Sequence, residues 1–193
     1  MADKARARIN ALQPLLKDPA PEVRLAAADA IEALEASSTV VEILETLKNG
    51  NMGARIGAIY ALGEVGGAGV LKPLVYCARR PEIDIRSAAV AALGKLALAE
   101  TLPVLVELLD DESPIVQACT VAALRNFSAT PEILIKLRPL LDAHDGVLEA
   151  ETALTLSRFK DTSSLPRIEA LLTSPHASTR QAAAIAFSKI PFQ

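Results

Sequence analysis

The 193-residue sequence has no Trp, two Tyr and four Phe, so aromatic residues make up only 3% of the chain. This excludes a base-stacking platform of the kind single-stranded nucleic-acid binders build, since Tyr60 has no aromatic companions nearby in sequence. Cysteine is equally scarce. Cys77 and Cys119 lie far apart with no Cys-x-x-Cys spacing, and His144 and His176 belong to no ligand motif, so no metal site is expected. Neither charge sign dominates: 20 Lys+Arg stand against 23 Asp+Glu, a net charge of −3, which leaves no global positive field for phosphate backbones or anionic lipid. Every long apolar run is broken by a charge or a Pro, and Met1 to Arg8 has no apolar stretch of signal-peptide length. A soluble, cytoplasmic protein is expected, without nucleic-acid or membrane partners.

What the chain does have is Ala and Leu, together about a third of it, within a composition that is 51% hydrophobic. Both are strong helix formers, and a core rich in Ala lets helices approach closely. The expected fold class is therefore all-α.

A repeat organises these residues. Val23-Arg24-Leu25-Ala26-Ala27-Ala28 recurs at Arg55, Arg86 and Gln117, a constant step of 31, then at Glu149 and Arg180. Six units result, approximately 1–36, 37–67, 68–98, 99–129, 130–161 and 162–193, read as a single domain. Counted from the Arg position, apolar or small residues recur one before it and three, four, six, seven and ten after it. That spacing forms one stripe on a helix. Offset seven, for example, reads Ile31, Leu62, Leu93, Leu124, Leu156 and Phe187. A first helix ending at Leu16, Leu47, Ala78, Leu109, Leu141 and Leu172 supplies the other wall. Pro19, Pro21, Pro81, Pro114 and Pro175 fall in the turn between the two helices of the first, third, fourth and sixth units. Between units, Thr39-Val40-Val41-Glu42 has capping-box spacing, and Thr130-Pro131-Glu132 has the order of a helix start. Seven of the nine Gly lie between Gly50 and Gly69, where a flexible joint between the second and third units is expected.

This helix pair, with its Pro turn, its Val-Arg-x-x-Ala-Ala core and its Ala-Leu-Gly ending, resembles the short HEAT repeat of the phycobilisome-lyase HEAT-like type. The resemblance is clearest at Ile85 to Leu96 and at Ala61 to Gly66, and it covers all six units. It implies a right-handed α-solenoid, an α-α superhelix of six helix pairs. It does not fix an activity, because members range from scaffolds to chromophore lyases. The di-iron hydroxylase built from such repeats uses recurring His-Glu pairs, whereas here Asp145 follows His144 and Ala177 follows His176.

Solenoids of stacked helix pairs present their second helices along a concave face. The residues at offsets one, two, five and nine then form the candidate surface. Those expected to bind a partner are Leu25, Asp29, Ile56, Tyr60, Glu64, Ala91, Lys95, Ala122, Glu151, Leu154, Arg158 and Ile185. The Arg column, Arg24, Arg55, Arg86 and Arg180, reads as structural, with Asp18, Asp111 and Asp145 as partners. Glu149 and Glu151 lie about 200° apart around a helix and so form no acid/base pair; they read as a solvated face or an acidic contact. Cys77 reads as core filler, and Cys119 as filler or an accessible thiol. No catalytic residue and no cofactor is expected. The leading reading is a monomeric, non-enzymatic adaptor that binds a protein or peptide, and the alternative is a phycobilin-lyase-like accessory protein handling a tetrapyrrole.

Overall fold

A computed structural model describes residues 2–191, and every regular element among them is helical. The chain forms two compact units, residues 1–73 and 74–193. In the first unit α1 (Ala2–Leu12) and α3 (Met52–Val65) both pack on a long α2 (Pro21–Asn49). The short α4 (Leu71–Cys77) spans the division between the units.

The second unit contains α5 (Ile83–Leu96), α6 (Leu102–Leu108), α7 (Pro114–Leu124), α8 (Pro131–Leu137), α9 (Gly146–Arg158), α10 (Leu165–Ala170) and α11 (Ala177–Lys189). The longer helices α5, α7, α9 and α11 pack one on the next. The shorter α6, α8 and α10 lie against α7, α9 and α11, the last two extended by 3-10 turns over Arg138–Asp142 and Leu171–Thr173. This two-layer stack is the helix-pair solenoid arrangement that the 31-residue period predicts.

Local chemistry accounts for where these helices begin. Pro114 and Pro131 occupy first-turn positions, where a missing N–H costs nothing. The side chain of Asn51 accepts from Ala54 N at 2.9 Å, that of Asp145 from Val147 N and Leu148 N, and that of Thr130 from Ile133 N. The stripe then fills the space between layers. Leu62, Leu93, Leu124 and Leu156, all at offset seven, are completely buried, and each contributes about 1.5–3 kcal/mol. Small residues set the helix spacing: a Cβ on Gly94 would lie 2.4 Å from the Cβ of Ala123, so α5 and α7 meet where neither can carry a larger side chain.

Three expectations need correction. The capping box at Thr39 does not start a helix, because α2 runs through it and the Thr39 hydroxyl donates to Glu35 O one turn back. From Glu22 to Asn49 there is no Gly or Pro to stop propagation. The outermost pairs also leave part of their stripe uncovered. Leu16 is 41% exposed, Ala28 and Ala184 are exposed, and Phe187 is 39% exposed, since among the described residues no element follows α11 to lie over it. Finally, in the second unit the offset-one and offset-two residues Ala88, Ala118, Ala150 and Ala182 are buried, because the neighbouring long helix covers that flank. The exposed face of the stack is therefore narrower than the sequence pattern suggests.

Candidate functional site

The Arg column comes first, since it separates structural from available charge. Arg24, Arg86 and Arg180 repeat one arrangement: Nη1 donates to the carbonyls five and six residues back, in the turn inside the pair. The oxygens are those of Asp18 and Pro19 for Arg24, Arg80 and Pro81 for Arg86, and Ser174 and Pro175 for Arg180, at 2.7 to 3.0 Å. Gln117 does related work with a shorter side chain, donating to Leu109 O at 3.0 Å. Arg55 is half-buried.

Arg86 alone of the column is buried, and there an acid joins. Its Nη2 donates to Asp111 Oδ1 at 3.0 Å, while Nε lies 2.9 Å from Oδ2 but off the N–H direction, a charge contact rather than a hydrogen bond. Asp18 and Asp145 are not ion partners of the column: Asp18 Oδ1 accepts from Ala20 N, and Asp145 caps α9.

In the fifth pair the polarity of this device is inverted. Glu149 is buried, not solvated: its Oε1 accepts from His144 N at 3.0 Å and its Oε2 from the Thr179 hydroxyl at 3.3 Å. His144 adopts a left-handed φ of 56°, which accompanies a turn that offers Glu149 an N–H where the other turns offer carbonyls to Arg. Glu151 turns elsewhere and pairs with Arg125. The two carboxylates thus have separate structural partners and share no site.

Cys77 is buried and Cys119 half-buried. Burial pushes the Cys119 thiol above the usual cysteine value; the nearby Ser87 hydroxyl opposes this and the nearby Glu151 charge adds to it. It is a protonated thiol at neutral pH rather than a nucleophile. His144 and His176 are exposed turn residues. Among the described residues no group of three or more His, Cys, Asp or Glu could hold a metal ion, and no helix is long and apolar enough to cross a membrane.

The remaining candidates lie on the exposed flank of the long helices. In the first unit Leu25 is 64% and Tyr60 50% exposed, Asp29 and Glu64 are exposed, and Ile56 is half-buried. In the second unit Ala91, Lys95, Arg158 and Ile185 are exposed, and Ala122, Glu151 and Leu154 half-buried. The structure brings some of these together. Ala91, Lys95 and Ala122 line a cleft of about 620 Å³ between α5 and α7, floored by Gly94, Cys119 and Ala123. Asn126 Nδ2 closes its end by donating to Gly94 O at 2.9 Å. Leu154 and Arg158 line a second cleft of about 340 Å³, at the C-terminal ends of α7, α9 and α11, with Arg125, Ser157, Lys160 and Lys189. Neither holds an acid/base pair.

A profile of HEAT repeats matches residues 9–82 and 71–157. The chain belongs to the HEAT-repeat family. Among solved structures it is similar to an engineered protein, with 22% identity, a TM-score of 0.56 and coverage of 95% of this chain and 96% of that one. It is also similar to a designed armadillo repeat protein in complex with the peptide (KR)4, with 20% identity, a TM-score of 0.57 and coverage of 95% and 99%. No curated protein matches it in sequence.

Within the HEAT repeats, sequence reasoning missed Arg125 and Lys160, which fall at offsets eight and eleven, outside the columns treated as surface. A signal was present. At offset eleven two other pairs have Gly66 (φ 73°) and Ala97 (φ 48°), so a positive φ recurs where these helices end, and Lys160 (φ 55°) is the charged residue among the three.

Proposed function

We propose that this HEAT-repeat protein is a non-enzymatic scaffold that binds a protein or peptide along the exposed flank of its long helices. The observation that carries the reading is the small-residue cleft between α5 and α7, open to solvent and bounded by Lys95 and Asn126. Such a surface offers apolar contact for one side of a peptide and hydrogen-bonding groups at its edges, without the convergent titratable groups that catalysis needs. The designed armadillo neighbour, similar in fold, holds a peptide. In the first unit Leu25, Ile56 and Tyr60 with Asp29 and Glu64 form the corresponding candidate surface. The phycobilisome-lyase reading rests on repeat resemblance alone; no residue here favours a tetrapyrrole.

The reading is tested by selecting peptides from a random displayed library on the immobilised protein and measuring the recovered peptides against variants. Ala122→Glu and Ile185→Glu, on the exposed flank, are expected to lower affinity at least about tenfold, a loss of about 1.4 kcal/mol. Ile135→Glu, exposed on α8 in the layer of short helices, is expected to leave it unchanged. Failure to recover any peptide, or loss with Ile135→Glu alone, refutes the scaffold surface.

A further inference from the structure

The cleft at the C-terminal ends of α7, α9 and α11 has a charge that the rest of the molecule does not explain. The chain carries a net −3, yet four cations, Arg125, Arg158, Lys160 and Lys189, converge on about 340 Å³ of space together with Leu154 and Ser157. Arg125 is matched by Glu151. Among the described residues Arg158, Lys160 and Lys189 enter no ion pair.

Elsewhere the second unit pairs most of its cations with carboxylates. Arg79 meets Glu107, Arg86 meets Asp111, Lys136 meets Asp110 and Arg138 meets Asp161. Arg180 is held by turn carbonyls instead, so three unmatched cations gathered around one cleft stand out from the paired majority of that unit.

The backbone sharpens the point. Lys160 N donates to Ser157 O and Asp161 N to Leu156 O, both at 3.0 Å, which closes α9 in the double-bonded helix ending that normally has Gly at its left-handed position. Lys at φ 55° costs about 1 kcal/mol relative to Gly. The next residue, Asp161, is 6% exposed and is gripped by Arg138 through two hydrogen bonds of 2.7 and 2.9 Å. Lys160 is thus held on a fixed turn at the cleft, in a conformation its own side chain disfavours.

We infer that this cleft binds an acidic segment of the partner protein, with Asp or Glu side chains seated between Arg158, Lys160 and Lys189. This rests on the scaffold reading and specifies its partner. Arg158 offers a planar fork for one carboxylate, and the two lysines offer point charges for its neighbours. Leu154 gives the apolar contact that a peptide side chain uses and a phosphate backbone does not. A nucleic acid would need a longer cationic track and stacking aromatics, but the neighbouring cleft between α5 and α7 is lined by one cation, Lys95, and no ring. The contrast with the designed armadillo neighbour is direct, since the peptide in that complex is basic.

The test measures fluorescence anisotropy of the full chain with labelled (Asp-Glu)4, (Lys-Arg)4 and a dT12 oligonucleotide, at low and near-physiological salt. Wild type is expected to bind (Asp-Glu)4 in preference to both others. Arg158→Glu with Lys189→Glu should weaken this at least about tenfold, whereas Lys17→Glu with Lys72→Glu, an equal charge step at exposed positions elsewhere, should have under about twofold effect. Lys160→Gly guards against misfolding as an explanation: it should melt at or above the wild-type temperature and still bind (Asp-Glu)4 about threefold more weakly. Three results overturn the inference: tighter binding of (Lys-Arg)4 or dT12, (Asp-Glu)4 binding indifferent to the charge reversal, or Lys160→Gly binding as wild type. If library peptides then prove sensitive to Ala122→Glu and not to Arg158→Glu/Lys189→Glu, the scaffold surface stands and its acidic partner is refuted.

Discussion

Replacing Arg86 and Arg24 by Ala removes the same guanidinium from the same repeat position and should give very different losses. At Arg24 the side chain is exposed, so the carbonyls of Asp18 and Pro19 exchange a guanidinium for water, and the loss is about 1 kcal/mol or less. At Arg86 the side chain and that of Asp111 are both only 7% exposed. Arg86→Ala strips the carbonyls of Arg80 and Pro81 of their donor and leaves the Asp111 carboxylate with only Ser113 N at 2.9 Å. Breaking a buried pair from one side costs about 3–5 kcal/mol, which lowers the melting temperature of a chain this size by roughly 6–20 °C. The decisive comparison is Arg86→Met with Asp111→Asn. Asn keeps an acceptor for Ser113 N, no charge is stranded, and the combined loss should fall to about 1–2 kcal/mol. Urea unfolding followed by circular dichroism at 222 nm gives each value, and hydrogen exchange of α5 and α7 amides locates it. The reasoning fails if Arg86→Ala costs no more than Arg24→Ala, or if the double variant is as unstable as the single one.

Four further expectations follow from the same geometry. Gly94→Ala should destabilise, because about 1–3 kcal/mol of overpacking against Ala123 exceeds the roughly 1 kcal/mol gained in helix propensity; Gly57→Ala, with nothing within 4 Å of the new Cβ, should show only that gain in thermal unfolding. Glu149→Ala should cost about 1–2 kcal/mol by leaving His144 N without its acceptor, the Thr179 hydroxyl keeping Gly146 O, while Glu149→Gln, which can still accept from His144 N, should cost under about 1 in the same assay. Because burial raises the Cys119 thiol, its alkylation by iodoacetamide in the native protein should be slow at neutral pH and accelerate only above the range where ordinary cysteines ionise; a fast reaction at pH 7 contradicts the assignment. In the first unit, Ile56→Asp with Tyr60→Asp should leave helicity unchanged and abolish binding of any library peptide that this face holds.

How much of this was legible depends on which residues a feature requires. The stack follows from Leu62, Leu93, Leu124 and Leu156, because burial of one column at a 31-residue step is a property of each helix by itself. The length of α2 was equally present in the sequence but outweighed by the period. Glu35 occupies the offset where Gly66 and Ala97 end their helices, and without a residue suited to a left-handed turn the helix continues. The ion partners were not legible. Asp18, Asp111 and Asp145 occupy similar turns, and only the burial of Arg86 selects Asp111, a result of packing between pairs that no single repeat encodes.

The same distinction bears on the candidate site. Glu149 and Lys160 both break the repeat, and on sequence alone Glu149 is the more conspicuous because it reverses the charge of a column. The structure inverts that order. The change to Glu149 is met in full by a turn that presents His144 N and by the Thr179 hydroxyl on the next helix, so the departure is absorbed internally. Lys160 meets no such response: its turn keeps the positive φ that Gly66 and Ala97 show at this offset, and the charge is left at a cleft with Arg158 and Lys189. A local rule broken and compensated within the fold serves the fold, whereas one broken without compensation points outward to what the molecule binds. By that criterion the functional signal of this HEAT array lies at the C-terminal ends of α9 and α11, not in the carboxylates of the fifth pair.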